Sequence, residues 1–357
     1  MFNLSSNFHE ESKIKRKRKG WRLFHAKDFL SLMYPCFTIC NIIGIFPYKI
    51  NASTFEISKP RYILLAVVIC VCDIYALIVF YGFPIFKKID MITLPGSLKV
   101  DCVIGFGCFI MTVTFILCSP QMRLLQIILN ISSRLPQESY QKLSKLIHAK
   151  DIIGSFYLIW LLLTCVVIYG MHCFFVVYVT LVIFQMDMVY MNCVYVLKAC
   201  FKRINDNLVN MNELTTNYNL NGSGLIYYDH KYPFLIIKLK ALKKEHLIIS
   251  NTVQMLNLIY SLQLLGTVIL TFVDVTINVY YYILEWKPNY NLFTNTFIEL
   301  RILYYMFQLS TITFNFIKIV LIVWACETGK NEALQINTSI HDMFNSVTDD
   351  QVKEEVV

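Results

Sequence analysis

The sequence predicts an all-α, polytopic helical membrane protein, and its composition and its long uncharged runs support this fold class. Of its 357 residues, 56% are hydrophobic and only 16% are charged, and the mean hydropathy is +0.53. A typical globular chain is about a quarter charged, so this chain has too little polar surface to cover its apolar mass in water. The composition therefore excludes disordered, collagen-like, disulfide-scaffold and ordinary soluble-enzyme classes.

Six segments are long and apolar enough to cross a bilayer, because a spanning helix needs about 20 mostly apolar residues. They lie at 62–83, 102–122, 152–170, 174–197, 250–284 and 298–326. The third and fourth come from one apolar run that would be about 69 Å long as a single helix, far more than the ~30 Å hydrocarbon core. This run is therefore predicted to form a helical hairpin that turns near Gly170.

A seventh apolar segment, 29–48, contains Pro35, Gly44 and Pro47, which weaken a continuous helix. If it does not span and the N-terminus is cytoplasmic, the cytoplasmic segments carry 25 Lys and Arg residues and the outer loops carry 4. If it spans, the counts become 12 inside and 17 outside. Since positive charge is enriched in the cytoplasm, we predict six spans, both termini inside, and a membrane-dipping or interfacial helix at 29–48.

This topology divides the chain into a cytoplasmic N-terminal part at 1–60, a six-span bundle at 61–326 and a cytoplasmic segment at 327–357. Amphipathic helices are expected between the second and third spans, and a loop at 221–233 before a basic helix at 234–250. The outer loops are short, so any ligand is small and enters among the spans. Because every sequon lies on the cytoplasmic side, no N-glycan is expected at Asn3, Asn51, Asn130, Asn221 or Asn337.

No pattern of catalytic or metal-binding residues stands out. Most of the 12 cysteines lie in apolar spans, where a free thiol behaves as a small hydrophobe. There is no paired CxxC, HExxH, Walker loop, GxGxxG or GxSxG. The sequence thus predicts a protein that is not an enzyme and uses no cofactor or metal. The net charge of +8 reflects topology rather than nucleic-acid binding.

Polar and aromatic residues recur at similar depth in the outer halves of the third to sixth spans. Charges inside a membrane usually face a cavity or a partner, and small-molecule sites combine aromatic walls with a few polar anchors. We therefore predict a ligand pocket lined by Tyr169, Phe175, Tyr178, Gln185, Asp274, Asn278, Tyr281, Arg301, Tyr304, Tyr305 and Gln308. The alternative is interhelical hydrogen bonding and interfacial aromatic belts. Lys318 is predicted to extend to the inner membrane surface.

Three stretches resemble insect gustatory receptors. Gly44-Ile45-Phe46-Pro47 follows a half-length apolar helix, as in that family. The stretch 316–342, with Cys326-Glu327, Asn337-Thr338 and His341-Asp342, resembles the end of the family's sixth span and the loop after it. The segment 131–151 resembles hymenopteran members, and the resemblance covers essentially the whole chain.

The resemblance implies a tetrameric, ligand-gated cation channel with seven spans in the plasma membrane of gustatory sensory neurons. It implies a small-molecule tastant as ligand, and other gustatory receptors and the lipid bilayer as partners. The family's seventh span lines the pore with a Thr-Tyr and Gln-Phe motif, and this sequence reaches Val357 before such a span. We therefore expect a chain that does not conduct alone. A transporter or a G-protein-coupled receptor is the alternative, although the sequence lacks internal repeats, a DRY-like step and NPxxY.

Overall fold

The computed structural model describes residues 23–51, 54–86, 94–169, 174–220, 225–285 and 296–346. These residues form eight helices and one two-stranded sheet. In chain order the elements are α1 (Phe29–Ile43), β1 (Tyr48–Asn51), β2 (Thr54–Ile57), α2 (Lys59–Phe86), α3 (Leu94–Ile116), α4 (Cys118–Ser132), α5 (Gln137–Tyr169), α6 (Phe174–Leu220), α7 (Leu225–Glu285) and α8 (Thr296–Ser346).

Within these described residues, six helices are long and apolar enough to cross a membrane, namely α2, α3, α5, α6, α7 and α8. This confirms the predicted polytopic helical membrane fold. The span predicted at 102–122 differs in detail, because α3 ends at Ile116 and α4 begins at Cys118. Pro120 explains the break, since proline lacks the N–H that would bond to the carbonyl of Ile116, and it fits the first turn of a new helix.

Helix α1 is the short apolar helix expected within 29–48, and its ends are set by local side-chain and backbone contacts. Asp28 accepts a hydrogen bond from the backbone N–H of Ser31, and the Ser31 hydroxyl accepts one from the backbone of Asp28, which forms a capping box. Gly44 ends the helix with φ +86°, a left-handed conformation that favours glycine. Its 15 residues span only about 22 Å, too short to cross a bilayer.

A small antiparallel hairpin follows α1, and the sequence analysis did not predict it. Tyr48 pairs with Ile57, and Asn51 pairs with Thr54. The hairpin is fixed to α4 because the Tyr48 hydroxyl donates to the Cys118 carbonyl at 2.7 Å. Burial raises the pKa of Tyr48 well above its usual range, so the hydroxyl keeps the proton that it donates.

The last three helices are much longer than a membrane requires. At 1.5 Å per residue, the 61 residues of α7 extend about 92 Å. The predicted fifth span at 250–284 lies inside it. Because α7 begins at Leu225, the loop predicted at 221–233 is wrong for residues 225–233, which are helical.

Helix α6 forms the centre of the bundle. In the most apolar window of α6, 61% of the residues are buried, against 17% in the corresponding windows of α5 and α8. Glycines permit close approach to α6. A Cβ at Gly107 of α3 would lie 2.1 Å from Cγ1 of Val179, and one at Gly154 of α5 would lie 2.8 Å from the Phe184 ring. Close packing therefore holds α6, with its polar residues, against α3 and α5.

Candidate functional site: two buried charge clusters

An ion pair with two carboxamide partners joins α3, α7 and α8. Lys99 Nζ lies 2.6 Å from Asp274 Oδ1 and donates to Asn278 Oδ1 at 2.7 Å. The other carboxylate oxygen of Asp274 accepts hydrogen bonds from Nδ2 of Asn315 at 2.6 Å and from Nδ2 of Asn278 at 3.2 Å. We call these four residues the Lys99–Asp274 cluster.

The sequence of α7 explains why this cluster forms. Polar residues recur every three or four positions, which places them on one face of a helix over about 22 Å. These residues are Gln263, Thr267, Thr271, Asp274 and Asn278. A charge in an apolar span is costly unless it finds a partner, so this polar face packs towards the charged and amide side chains of neighbouring helices. We call this set the polar face of α7.

A second cluster lies where α6 meets the same face of α7. Oδ1 of Asp187 accepts hydrogen bonds from Thr267 Oγ1 at 3.2 Å and from Gln263 Nε2 at 3.4 Å. Lys318 of α8 places Nζ 3.9 Å from Oδ2 of Asp187. Lys318 is therefore not extended to the inner surface as predicted, because it is only 8% exposed and forms an ion pair inside the bundle. The Asp187 side chain itself is fully buried.

The predicted site residues on α6 lie on a different side of the bundle. Gln185 Nε2 donates to the carbonyl of Cys36 in α1 at 3.2 Å, and the Tyr178 hydroxyl donates to the carbonyl of Ile43 at 3.2 Å. The ring of Phe175 lies 4.4 Å from that of Tyr75 in α2, centroid to centroid. These three side chains therefore pack against α1 and α2 and not against the Lys99–Asp274 cluster.

The remaining predicted residues are on α5, α7 and α8. Asp274 and Asn278 belong to the Lys99–Asp274 cluster. On α8, Gln308 is buried, while Tyr304 and Tyr305 are partly exposed. The side chains of Tyr169, Tyr281 and Arg301 lie outside the part that the structure describes. Five of the predicted residues are thus divided between two interfaces, and the role of the set as one pocket stays a prediction.

Sequence reasoning missed Lys99 and Asn315 and misplaced Lys318. The predicted second span at 102–122 leaves Lys99 in the preceding loop, whereas α3 begins five residues before Lys99, at Leu94. Asn315 and Lys318 are three residues apart, so they lie on the same face of α8. That spacing of two polar residues in an apolar span was a signal that they face the bundle interior.

An open cleft of about 460 Å³ lies between α2 and α3. It is largely apolar and is lined by Phe80, Asp101, Cys102, Gly105, Phe106 and Phe109. Cys102 and Phe106 follow Lys99 by three and seven residues, which places all three on one face of α3. The cleft therefore begins about one helical turn from the Lys99–Asp274 cluster.

The side chains of the two clusters form ion pairs and hydrogen bonds inside the bundle. Among the described residues, no three His, Cys, Asp or Glu side chains converge in a way that could hold a metal ion. Both clusters pair a lysine with an aspartate and surround the pair with amides or hydroxyls. Such an arrangement can bind a polar group, or exchange one partner for another, in a setting of low dielectric constant.

No curated protein matches the chain. A family model described as 7tm Chemosensory receptor does match, over residues 33–356. That match runs from α1 to the end of α8 and includes both charge clusters. With six apolar helices long enough to span a bilayer and a match over nearly its whole length, this chain belongs to the 7tm chemosensory receptor family.

Proposed function

We propose that this chemosensory receptor is a gustatory receptor that detects small-molecule tastants and acts as a subunit of a ligand-gated cation channel. The observation that supports this proposal is the Lys99–Asp274 cluster, where one ion pair joins α3, α7 and α8. A charged group inside a membrane protein is expensive to bury and is usually functional. The resemblance of the stretch 316–342 to gustatory receptors favours taste over other chemosensory roles.

A ligand at this cluster would act on three helices at once. Asp274 contacts Lys99 of α3 and Asn315 of α8, so a molecule that replaces either contact changes how those helices are held. A ligand shifts a conformational equilibrium only by its difference in affinity for the two states. The cluster provides this difference in affinity if its ion pair and hydrogen bonds differ between the closed and open arrangements of α7 and α8.

The proposal includes a location and partners. The receptor would lie in the plasma membrane of gustatory sensory neurons, with the bilayer around its six spans. It would assemble with itself or with other gustatory receptors as a tetramer. Oligomers of this kind have closed symmetry, so the long helices α6, α7 and α8 would be arranged around a common axis.

The test is whole-cell recording from cells that express the full chain, alone and together with other gustatory receptors, during exposure to a panel of sugars, alkaloids and amino acids. We expect a tastant-gated cation current that persists when the pipette contains a G-protein inhibitor. Asp274→Asn should reduce the response at least tenfold, whereas the control Lys145→Met, at an exposed residue of α5, should not change it. Receptor at the cell surface without current in any combination would overturn the proposal.

A further inference from the structure

The two lysine–aspartate ion pairs differ in how exposed they are. The side chains of Lys99 and Asp274 are 23% and 13% exposed, whereas those of Lys318 and Asp187 are 9% and 0% exposed. Both pairs lie along the polar face of α7, and both join three helices. The Lys99–Asp274 pair is therefore the more accessible of the two.

The Lys99–Asp274 cluster restricts the charge of a ligand that enters it. Lys99 Nζ and Asp274 contact each other at 2.6 Å, and the amides of Asn278 and Asn315 complete their hydrogen bonds. A neutral ligand that separates the pair leaves two opposite charges uncompensated. A ligand with one net charge compensates one residue and leaves the other unpaired. Leaving one charge of a partly buried ion pair without its partner costs free energy, so both kinds of ligand are disfavoured.

A ligand with both charges avoids this cost. Its carboxylate accepts hydrogen bonds from the Lys99 ammonium, and its own ammonium donates to the Asp274 carboxylate and to Asn278 Oδ1. The four side chains then keep partners of the right sign. We propose that the ligand of this receptor is a zwitterion of the amino-acid type, held between Lys99 and Asp274. This inference rests on the proposed function and specifies its ligand class.

The open cleft between α2 and α3 indicates what the rest of the ligand is. Cys102 and Phe106 lie on the same face of α3 as Lys99, and Phe80 and Phe109 extend this wall. Apolar and aromatic walls stabilise apolar groups by removing them from water. The zwitterion would therefore carry an apolar side chain, as leucine or phenylalanine does, with its charged end at the Lys99–Asp274 cluster.

The experiment compares phenylalanine and leucine with analogues that lack one charge: phenylalaninamide, N-acetylphenylalanine and phenethylamine. We expect the zwitterions to activate the receptor at concentrations at least tenfold lower than any analogue. Lys99→Met and Asp274→Asn should each abolish the difference in activating concentration between the zwitterions and their analogues. The double exchange Lys99→Asp with Asp274→Lys should retain a response to zwitterions, because the ligand can bind in the reverse orientation.

A second measurement does not depend on the folding of any variant. The unmodified receptor, purified in detergent, should show a higher melting temperature with phenylalanine and not with N-acetylphenylalanine, since only a ligand that binds the folded state stabilises it. Equal responses to phenylalanine and its analogues, or activation by sugars or alkaloids alone, would overturn the zwitterion inference and leave the proposed function standing. Receptor at the surface that responds to no compound would contradict the proposed function itself.

Discussion

Lys318 and Asp187 place opposite charges 3.9 Å apart at the centre of the bundle, between α8 and α6. Asp187 is fully buried and receives additional hydrogen bonds from Thr267 and Gln263 of α7. This single carboxylate therefore connects α6, α7 and α8. Asn315, three residues before Lys318 on α8, donates to Asp274 of the other cluster at 2.6 Å, so the two charge clusters are neighbours along the polar face of α7.

Lys318→Met should destabilise the protein strongly. The substitution leaves the Asp187 carboxylate buried without a counter-charge, which costs about 3–5 kcal/mol. Asp187→Asn in the same chain should recover most of this loss, because a neutral amide can still bond to Thr267 and Gln263. The melting temperature of detergent-purified protein measures both effects.

The matched control for that substitution is Lys330→Met. Lys330 pairs with Glu327 at the same distance of 3.9 Å, but its side chain is 66% exposed. An exposed pair contributes at most about 1 kcal/mol, so this variant should melt close to the unmodified protein. If Lys318→Met and Lys330→Met have equal effects, the Lys318–Asp187 pair is not structurally important.

Gly107→Ala should disrupt the contact between α3 and α6. The added Cβ would lie 2.1 Å from Cγ1 of the buried Val179, and overpacking of this kind typically costs about 1–3 kcal/mol. Adding Val179→Ala should restore stability by removing the clashing atom. In contrast, Gly329→Ala places its Cβ 3.5 Å from Val194 and should be neutral or stabilising by up to about 1 kcal/mol, because alanine favours a helix. Thermal melting in detergent compares the three variants.

Much of the fold could be predicted because apolar length is a strong signal. All six predicted spans correspond to apolar helices, since a bilayer requires about 20 such residues whatever their order. Finer features depend on contacts that a hydropathy pattern does not contain. The strands β1 and β2 have only four residues each. Their hairpin is held against α4 by the hydrogen bond from the Tyr48 hydroxyl to the carbonyl of Cys118, 70 residues away.

The site was harder to predict because depth in the membrane does not determine direction around a helix. Gln185 and Asp187 are two residues apart, so they point about 200° apart on α6. Gln185 contacts α1, whereas Asp187 contacts α7. Depth alone grouped Gln185 with Asp274, although their contacts lie at different interfaces. The direction in which a residue faces is instead indicated by the i, i+3 and i, i+4 spacing of polar residues along α7.

The chain should carry no N-glycan at Asn130 or Asn221 when it is expressed in insect cells. Both sequons lie in segments that the distribution of Lys and Arg assigns to the cytoplasm, where glycosyltransfer does not occur. The electrophoretic mobility should be the same before and after treatment with an N-glycosidase. As a positive control, a sequon introduced near Trp286, in the predicted outer loop, should be glycosylated. A glycan at Asn130 would reverse the predicted topology.

His148→Ala should release the segment before α1 from α5. His148 accepts a hydrogen bond at Nδ1 from the Phe24 N–H at 3.1 Å and shares one at Nε2 with the Leu32 carbonyl at 2.9 Å. Ser144 donates to the Phe24 carbonyl at 2.8 Å, and Phe24 has φ +63°, a conformation that an aromatic residue adopts at a cost. The contacts with α5 compensate for that cost.

Limited trypsin digestion measures this release, because Lys27 lies in the same segment. Losing two hydrogen bonds worth about 0.5–1.5 kcal/mol each should raise the cleavage rate at Lys27 roughly tenfold, since cleavage follows the population of the opened segment. His25→Ala is the matched control: His25 is exposed and its ring bonds to the nearby Leu23 carbonyl, so cleavage should stay at the unmodified rate. Equal rates in both variants would show that His148 does not hold this segment and that the burial of α1 is sufficient to fix it.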